Sequence, residues 1–393
     1  MIKKIAILGS TGSIGKTSLK ILEKDKKNFK IELLTTKGNY KLLLNQAKKF
    51  KVKNIIITDK KKYQIALSKK IKSIKIYNDF NKFDKIFPRK LDYVMSSIVG
   101  LDGLMPTINI IKHTKTIAIA NKESILCAWN LIKKNLDLHK TNFIPVDSEH
   151  FSIWYALKNY SNLSINKIFL TASGGSLLNK SKSKIKNVKI SDILNHPNWK
   201  MGKKITVDSS TMMNKVFEII EAKKIFNLSY SQLGILIHPK SYIHSIIKLN
   251  DGMIKIIAHD TTMEIPIFNS IYNDTKKNID SDKINIKKLN ELNLSKINFR
   301  KYPSVKFLKF LPSKDSLFET ALVTINDELV NLFLQGKIKY SSIIKKMNNM
   351  LNHSEIKKLK KKLPTNVSNV INTSKFVRTL MKLPKLNYEK KIF

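Results

Sequence analysis

Asp147 and Glu149 flank Ser148 at the point where the apolar run "FIPV" ends. On an extended chain, side chains two residues apart point the same way. Two like charges held together raise each other's free energy unless a cation lies between them. The pair is therefore either solvated at a strand end or two thirds of a metal site. A third carboxylate is available in "NHPNWKMGKKITVDSSTMMNKVFEIIEA", residues 195–222. The pattern predicts a helix from about Thr211 to Phe226, with Asn214, Lys215, Glu218 and Glu221 on roughly one side. Asn214 and Lys215 in its first turn suit an anion. Glu218, one turn on, can complete a set with Asp147 and Glu149. Carboxylates with open positions between them suit Mg2+ or Mn2+, hard ions that prefer oxygen. Taken alone, Glu218 reads as a solvated helix acid.

Other stretches suit anions. In "ANKES" (120–124), Lys122 lies between Asn121 and Glu123 at the end of an expected strand, where open α/β sheets bind ligands. The alternative is a loop of solvated charges. In "TASGGS" (171–176), hydroxyls and the N–H groups of small residues can form an anion nest; the alternative is an ordinary loop. Pro and Gly punctuate residues 195–202 as in a mobile lid, with Trp199 and Met201 able to cover a ligand. Ser209 follows an expected strand, "ITVD". His238 and His244 read as core or strand-pairing residues, and His150 as facing away from Glu149 across its strand. Cys127 has no adjacent base pattern, which argues against a thiol nucleophile, and no Ser-His-Asp arrangement is apparent.

"IAILGSTGSIGKTSLKIL" sets Gly9, Gly12 and Gly15 between a strand and a helix. The spacing differs from the usual G-x-G-x-x-G, but the physics is shared. Glycines permit a tight turn and close backbone approach, and a helix N-terminus offers N–H groups to a pyrophosphate. Its place at the first strand of a βαβ unit favours dinucleotide binding over a plain turn. Thr11 and Ser13 add hydroxyls. An NAD site usually carries an acid at the end of the second strand. Here that place reads "LLTTKGNY"; Glu32 lies too early, and Lys37 suits a 2′-phosphate, so NADP is favoured.

The elements that must position these residues follow from the pattern. Residues 1–150 alternate strands ("KIAIL", "IELLT", "NIIIT", "DYVMSS", "TIAIA", "FIPV") with helices, as a Rossmann-type parallel sheet does. Residues 151–290 read as an α+β region with strands "KIFLTAS", "KITVDSS", "GILIH", "YIHSIIKL" and "MIKIIA". Residues 291–311 read as a linker and 312–393 as a helical bundle. In that bundle Phe318, Leu322, Ile325, Leu329 and Leu332 form one apolar helix face, with Gly336 at its expected end. The expected class is thus α/β, with an N-terminal Rossmann domain, a central catalytic domain and a C-terminal helical domain.

The chain has 393 residues, 42% of them hydrophobic, and no apolar run near the ~20 residues of a membrane helix. The start enters a strand directly, with no signal-like or transit-like leader, and a lone cysteine fits a reducing compartment; the expectation is cytoplasmic. Lys and Arg number 73 against 29 Asp and Glu, a net charge of +44. The lysines do not gather in an arm and no nucleic-acid motif accompanies them, so the charge reads as compositional drift that speeds encounter with anionic ligands.

Together "GSTGSIG", "ANKES", "VDSEH", "SGG", "HPNWKMG" and "VDSSTMMNK" with Glu218 closely resemble the 1-deoxy-D-xylulose 5-phosphate reductoisomerase family, in order and spacing. The resemblance extends through "LDYVMSSIVGLDGLMPT" and "TINDELVNLFLQGKI", nearly the whole chain. It implies a homodimeric NADPH- and Mn2+- or Mg2+-dependent enzyme of non-mevalonate isoprenoid synthesis, making 2-C-methyl-D-erythritol 4-phosphate from a small phosphorylated sugar. It implies that Thr11, Gly12, Ser13 and Ile14 hold the pyrophosphate side of NADPH. Gly38 and Asn39 would face the adenosine ribose, and Asn121, Glu123 and Gly202 would complete the cofactor site. Lys122 and Ser148 would touch the substrate, with Lys122, Glu149 and Glu218 catalytic and Asp147, Glu149 and Glu218 holding the metal. Ser173, Ser209, Asn214 and Lys215 would grip the phosphate, and His196 with Trp199 would close over it. The chain departs from the family at Thr36-Lys37 (nearer Ala-Gly in the family), at Ser176-Leu177-Leu178 (Pro-Phe-Arg), at Lys200, at Trp129 and in "AHDTTMEIPI". A different NADP-dependent dehydrogenase, with a metal-assisted step on another phosphorylated or hydroxy-acid substrate, is the competing enzyme reading; a non-phosphorylated substrate would leave the phosphate cluster without purpose. A basic nucleic-acid binder on a relic Rossmann fold is the other, separable by steep salt dependence.

Overall fold

A computed structural model describes residues 2–158, 165–181, 185, 188–199, 201–273 and 277–382. Lys200 lies outside the described residues. Two compact units emerge: residues 1–125, 131–158 and 262–283 form the first, and 126–130, 159–261 and 284–393 the second.

In the first unit, β1 (Lys3–Leu8), β2 (Phe29–Thr36), β3 (Asn54–Ile57), β4 (Lys75–Tyr77), β5 (Leu91–Ser96), β6 (Thr114–Ile119) and β7 (Asn142–Pro145) form one sheet, ordered β4-β3-β2-β1-β5-β6-β7. Every pairing is parallel. Ile5, Ala6, Ile7 and Leu8 of β1 are fully buried, as expected for a central strand covered on both faces. Strand order reverses direction between β1 and β5, which places the ligand crevice at their C-terminal ends. The helices used below are α1 (Ser13–Glu23), α2 (Tyr40–Lys49), α3 (Lys122–Leu138) and α4 (Ser148–Leu157). Strand β4 escaped the sequence reading.

The second unit has a sheet of β8 (Ile165–Ala172), β9 (Leu233–Ile237), β10 (Ile243–Leu249), β11 (Ile254–Ala258) and β12 (Ser295–Lys296), ordered β11-β10-β8-β9-β12. Only β8 and β9 run parallel. Helices α5 (Lys203–Ser210) and α6 (Met213–Ile225) carry site residues, and α7 (Leu317–Leu334) belongs to the helical part. The end of α7 follows from its sequence. Gly336, at φ +73°, lets its own N–H and that of Lys337 return to the carbonyls of Phe333 and Leu332.

The expected strand "ITVD" is helix α5. Its alternating Ile205 and Val207 imitate a strand, but buried Asp208 accepts a hydrogen bond from Asn326 Nδ2 of α7 at 2.8 Å, and tertiary packing overrides local propensity. The acids at 147 and 149 are not on extended chain, because α4 begins at Ser148. His150 consequently sits in a helix, fully buried, rather than on a strand. The stretch 291–311 is also more tightly fixed than a plain linker: β12 pairs with β9, and Tyr302 donates to the carbonyl of Gly174 at 2.8 Å.

Candidate active site

The turn after β1 is built by close backbone approach. Gly9 lies at φ +85°, and a Cβ there would sit 2.8 Å from the carbonyl oxygen of Ser97 after β5. A Cβ on Gly15 would meet Gly9 O and Ser10 Cα at 2.5 Å, so only glycine lets α1 start this close to the strand. Gly9 N–H donates to Thr35 Oγ1 (2.8 Å), and the hydroxyls of Thr11 and Thr36 lie 2.7 Å apart. Gly12 is the N-cap of α1; no side chain caps this end and no acid stands in its first turn. Ser13 and Ile14 thus begin a helix whose positive end suits a pyrophosphate.

At the end of β2, Lys37 Nζ lies 2.8 Å from Asp102 Oδ2, and this carboxylate holds the lysine above its ordinary pKa. Both side chains are largely exposed, so the pair competes weakly with a ligand phosphate. A Cβ on Gly38 would meet nothing within 4 Å, while Asn39 caps α2 by accepting from Leu42 N–H at 3.3 Å. Asn121 caps α3, accepting from Ser124 N–H at 2.5 Å, and its amide donates to the carbonyls of Ile98 and, at 2.8 Å, Gly100. It therefore ties the loop after β5 to the start of α3, next to buried Glu123.

The acids open α4. Asp147 is its N-cap and Glu149 stands in its first turn, where the helix dipole favours negative charge. Lys122 Nζ lies 2.7 Å from Asp147 Oδ2, with both side chains mostly buried. Ser148 Oγ donates to Glu149 Oε2 at 2.6 Å. Crowding of the two carboxylates is thus offset by a lysine, a hydroxyl and a helix N-terminus.

The second unit gathers the expected anion residues. Gly174 and Gly175 follow Ser173 at φ +88° and +67°, and a Cβ on Gly175 would strike Ser210 Cα at 2.8 Å. The "SGG" turn is thereby pressed against the end of α5. His196 Nε2 lies 3.1 Å from Ser173 Oγ and 3.2 Å from Ser209 Oγ. Gly175 N–H donates to Ser173 Oγ at 3.0 Å. Burial holds the His196 imidazole below its ordinary pKa, so it is neutral at pH 7. The rings of Trp199 and His244 meet in a T-shaped contact, and His244 stacks on His259 at 3.7 Å between ring centroids. Met212 takes a left-handed φ of +65° between α5 and α6, a turn that puts Asn214 and Lys215 in the first turn of α6. Both bind the Glu218 carboxylate, Asn214 through Nδ2 and Lys215 through Nζ. Lys215 and Glu218 are almost wholly buried, as is Glu221. Gly202 is the N-cap of α5. The sequence reading missed the Asp208–Asn326 tie beneath Ser209; only proximity in the fold reveals it.

A Rossmann sheet with an open helix N-terminus in the first unit, and in the second a cluster of hydroxyls and imidazole suited to phosphate, define the class: a dinucleotide-dependent oxidoreductase of the Rossmann type. Family comparisons narrow this. Residues 5–128 match the model for 1-deoxy-D-xylulose 5-phosphate reductoisomerase, and 143–226 and 260–380 match two models of its C-terminal domains. The reductoisomerase of Pelagibacter ubique is 56% identical over 379 residues, covering 95% of this chain and 97% of that one. That of Clostridium acetobutylicum is 35% identical, covering 90% and 93%. The solved Zymomonas mobilis reductoisomerase in complex with NADPH superposes with a TM-score of 0.86 at 27% identity, covering 97% of this chain and all of that one. A DOX-P reductoisomerase solved with NADPH, fosmidomycin and magnesium gives 0.87 at 30%, covering 96% and 97%. The chain belongs to the 1-deoxy-D-xylulose 5-phosphate reductoisomerase family.

Proposed function

We propose that this chain performs its family's reaction with the residues assembled above. As a family member it is an NADP-dependent oxidoreductase: it isomerises and reduces 1-deoxy-D-xylulose 5-phosphate to 2-C-methyl-D-erythritol 4-phosphate, using NADPH and a divalent metal. We assign Thr11, Gly12, Ser13 and Ile14 to the NADPH pyrophosphate, Gly38 and Asn39 to its ribose end, and Asn121, Glu123 and Gly202 to the rest of the cofactor site. We assign Asp147, Glu149 and Glu218 to the metal; an all-carboxylate donor set fits Mg2+ or Mn2+. When bound, NADPH supplies hydride and the metal supplies Lewis acidity to substrate oxygens.

The chain's own groups do the rest. Ser173, Ser209, Asn214, Lys215 and His196 hold the phosphate, away from the carbons that react, where binding free energy can drive lid closure. Lys122 brings a cation to the acids and to the substrate oxygens beside them, and Ser148 orients Glu149 through its hydroxyl. Trp199 excludes water once the lid closes, while the skeleton rearranges to a branched aldehyde and that aldehyde is reduced. The observation that carries the reading is the Ser173–His196–Ser209 cluster on the SGG turn. Its test is Ser209→Ala: the KM for the sugar phosphate should rise about 10-fold, as for loss of one hydrogen bond to a charged group, with the NADPH Kd unchanged. An unchanged KM would remove the phosphate assignment.

We further propose a homodimer. Edge strand β11 and its turn expose Met253, Ile254 and Ile256, and an apolar open edge calls for a partner, here a second copy. Cytoplasmic residence is supported by the single, buried cysteine. Residues 151–290 would be the catalytic and dimer-forming region, between the 1–150 cofactor domain and the 312–393 helices, with 291–311 joining them.

A further inference from the structure

We propose that Asn198 is a positioning residue: it anchors the base of the lid and thereby fixes the tautomer of His196, leaving the imidazole purely a donor toward the Ser173–Ser209 cradle. The inference rests on that cradle being the phosphate site. His196 Nδ1 receives two backbone N–H groups, from Asn198 at 3.2 Å and Trp199 at 3.0 Å. A ring nitrogen that accepts N–H donors carries no proton, so the single proton of the neutral ring is on Nε2. Nε2 is the atom that faces Ser173 Oγ and Ser209 Oγ. Protonating the ring would set an Nδ1–H against two N–H groups, the same direction in which burial acts. Among the described residues, the groups hydrogen-bonded to the ring are those two hydroxyls and those two backbone amides, and no charged side chain contributes to its shift.

What holds the two amides in place is the Asn198 side chain. Its Nδ2 donates to Pro239 O at 2.6 Å and to Ser241 Oγ at 2.9 Å. A carbonyl can only accept, so the amide nitrogen must face Pro239. The turn that receives it is itself fixed. Ser241 stands at φ +52°, its N–H donates to His238 O at 3.0 Å, and its carbonyl accepts from Thr261 Oγ1 at 3.2 Å. The chain of contacts runs from the β9–β10 turn through Asn198 to His196 and on to the cradle, all within the second unit. A phosphate only accepts hydrogen bonds. The Nε2–H tautomer meets it with a donor; the other tautomer would meet it with a lone pair.

The test uses the full-length enzyme carrying 15N-histidine. Long-range 1H–15N spectra without substrate distinguish a bare from a protonated ring nitrogen, and His196→Gln assigns the signal. The expected wild-type result is a bare Nδ1 and a protonated Nε2. Asn198→Ala should mix the tautomers and raise the KM for 1-deoxy-D-xylulose 5-phosphate about 10-fold, while kcat and the NADPH Kd move less than about 3-fold. Ser241→Ala, which leaves the Pro239 contact, should give a smaller shift in the same direction, and serves if Asn198→Ala does not fold. A protonated Nδ1 in the wild type would overturn the proposal. So would an Asn198→Ala enzyme that folds with an unchanged tautomer. A changed tautomer with an unchanged KM would overturn it through its premise, by showing that the cradle does not hold the phosphate.

Discussion

Lys224 closes α6 against the start of α7, and Lys224→Met tests how the site helix is held. Its side chain is 3% exposed, and its ammonium lies 2.7 Å from Asp315 Oδ1 and 3.4 Å from Glu319 Oε1. Glu319 lies in the first turn of α7 and also accepts from Ser316 Oγ. Burial outweighs the lysine's attraction at Glu319 and holds its pKa up, whereas at Lys224 the two carboxylates outweigh burial and hold its pKa up. The lysine's contribution is therefore fully present below its ordinary 10.5 and lost as pH climbs through the raised value. Methionine keeps the stem and removes the charge, stranding Glu319 beside Asp315. The cheapest relief is to protonate Glu319. Against its ordinary 4.5 this costs at most about 3.4 kcal/mol at pH 7 and about 0.7 kcal/mol at pH 5, the wild type already bearing part of it through the raised Glu319 pKa. That matches the ~3–5 kcal/mol typical of a broken buried pair. Urea unfolding at both pH values, followed by circular dichroism and tryptophan fluorescence, reads the difference. The expected deficit is up to about 3 kcal/mol at pH 7, or a Tm lower by up to about 6–12 °C for a unit of this size, shrinking to under about 1 kcal/mol at pH 5. An equal deficit at both pH values, or less than about 1 kcal/mol at pH 7, would refute the reasoning.

Gly9→Ala should weaken NADPH binding at least 10-fold, because a left-handed φ costs an L-residue about 1–2 kcal/mol and the methyl would meet Ser97 O at 2.8 Å. Fluorescence titration with NADPH measures it, and unchanged affinity would show that the turn does not hold the cofactor. The proposed homodimer through β11 predicts that Ile256→Lys, by placing a charge on the open edge, shifts the enzyme toward monomer in sedimentation velocity; an undisturbed dimer would place the interface elsewhere, and a wild-type monomer would remove the proposal.

Much of the first unit was legible because buried parallel strands are short β-branched runs between turn signals. β4 was not, since Lys75, Ile76 and Tyr77 are too few to show a period. The glycine turn was legible because Gly9 and Gly15 meet steric demands that only glycine satisfies. Helix α5 was misread because Ile205 and Val207 alternate like a strand, while the contact that decides the matter, Asp208 to Asn326, joins residues 118 apart in sequence. The acids at 147 and 149 stand out by type and spacing, but the pattern put them on extended chain where a helix begins. Their stabilisation by Lys122 and by the N-terminus of α4 needed the fold. The tautomer of His196 was illegible, since it depends on where two lid amides point.

The central claim is that these residues perform a metal-dependent reductive isomerisation. NADPH absorbance, followed with purified protein, 1-deoxy-D-xylulose 5-phosphate and Mg2+ or Mn2+, tests it most directly. The account predicts NADPH loss that requires both sugar phosphate and metal, stops on adding chelator, and is abolished in Glu149→Gln. Folded, NADPH-binding protein that consumes no NADPH, or Glu149→Gln turning over at the wild-type rate, would contradict it.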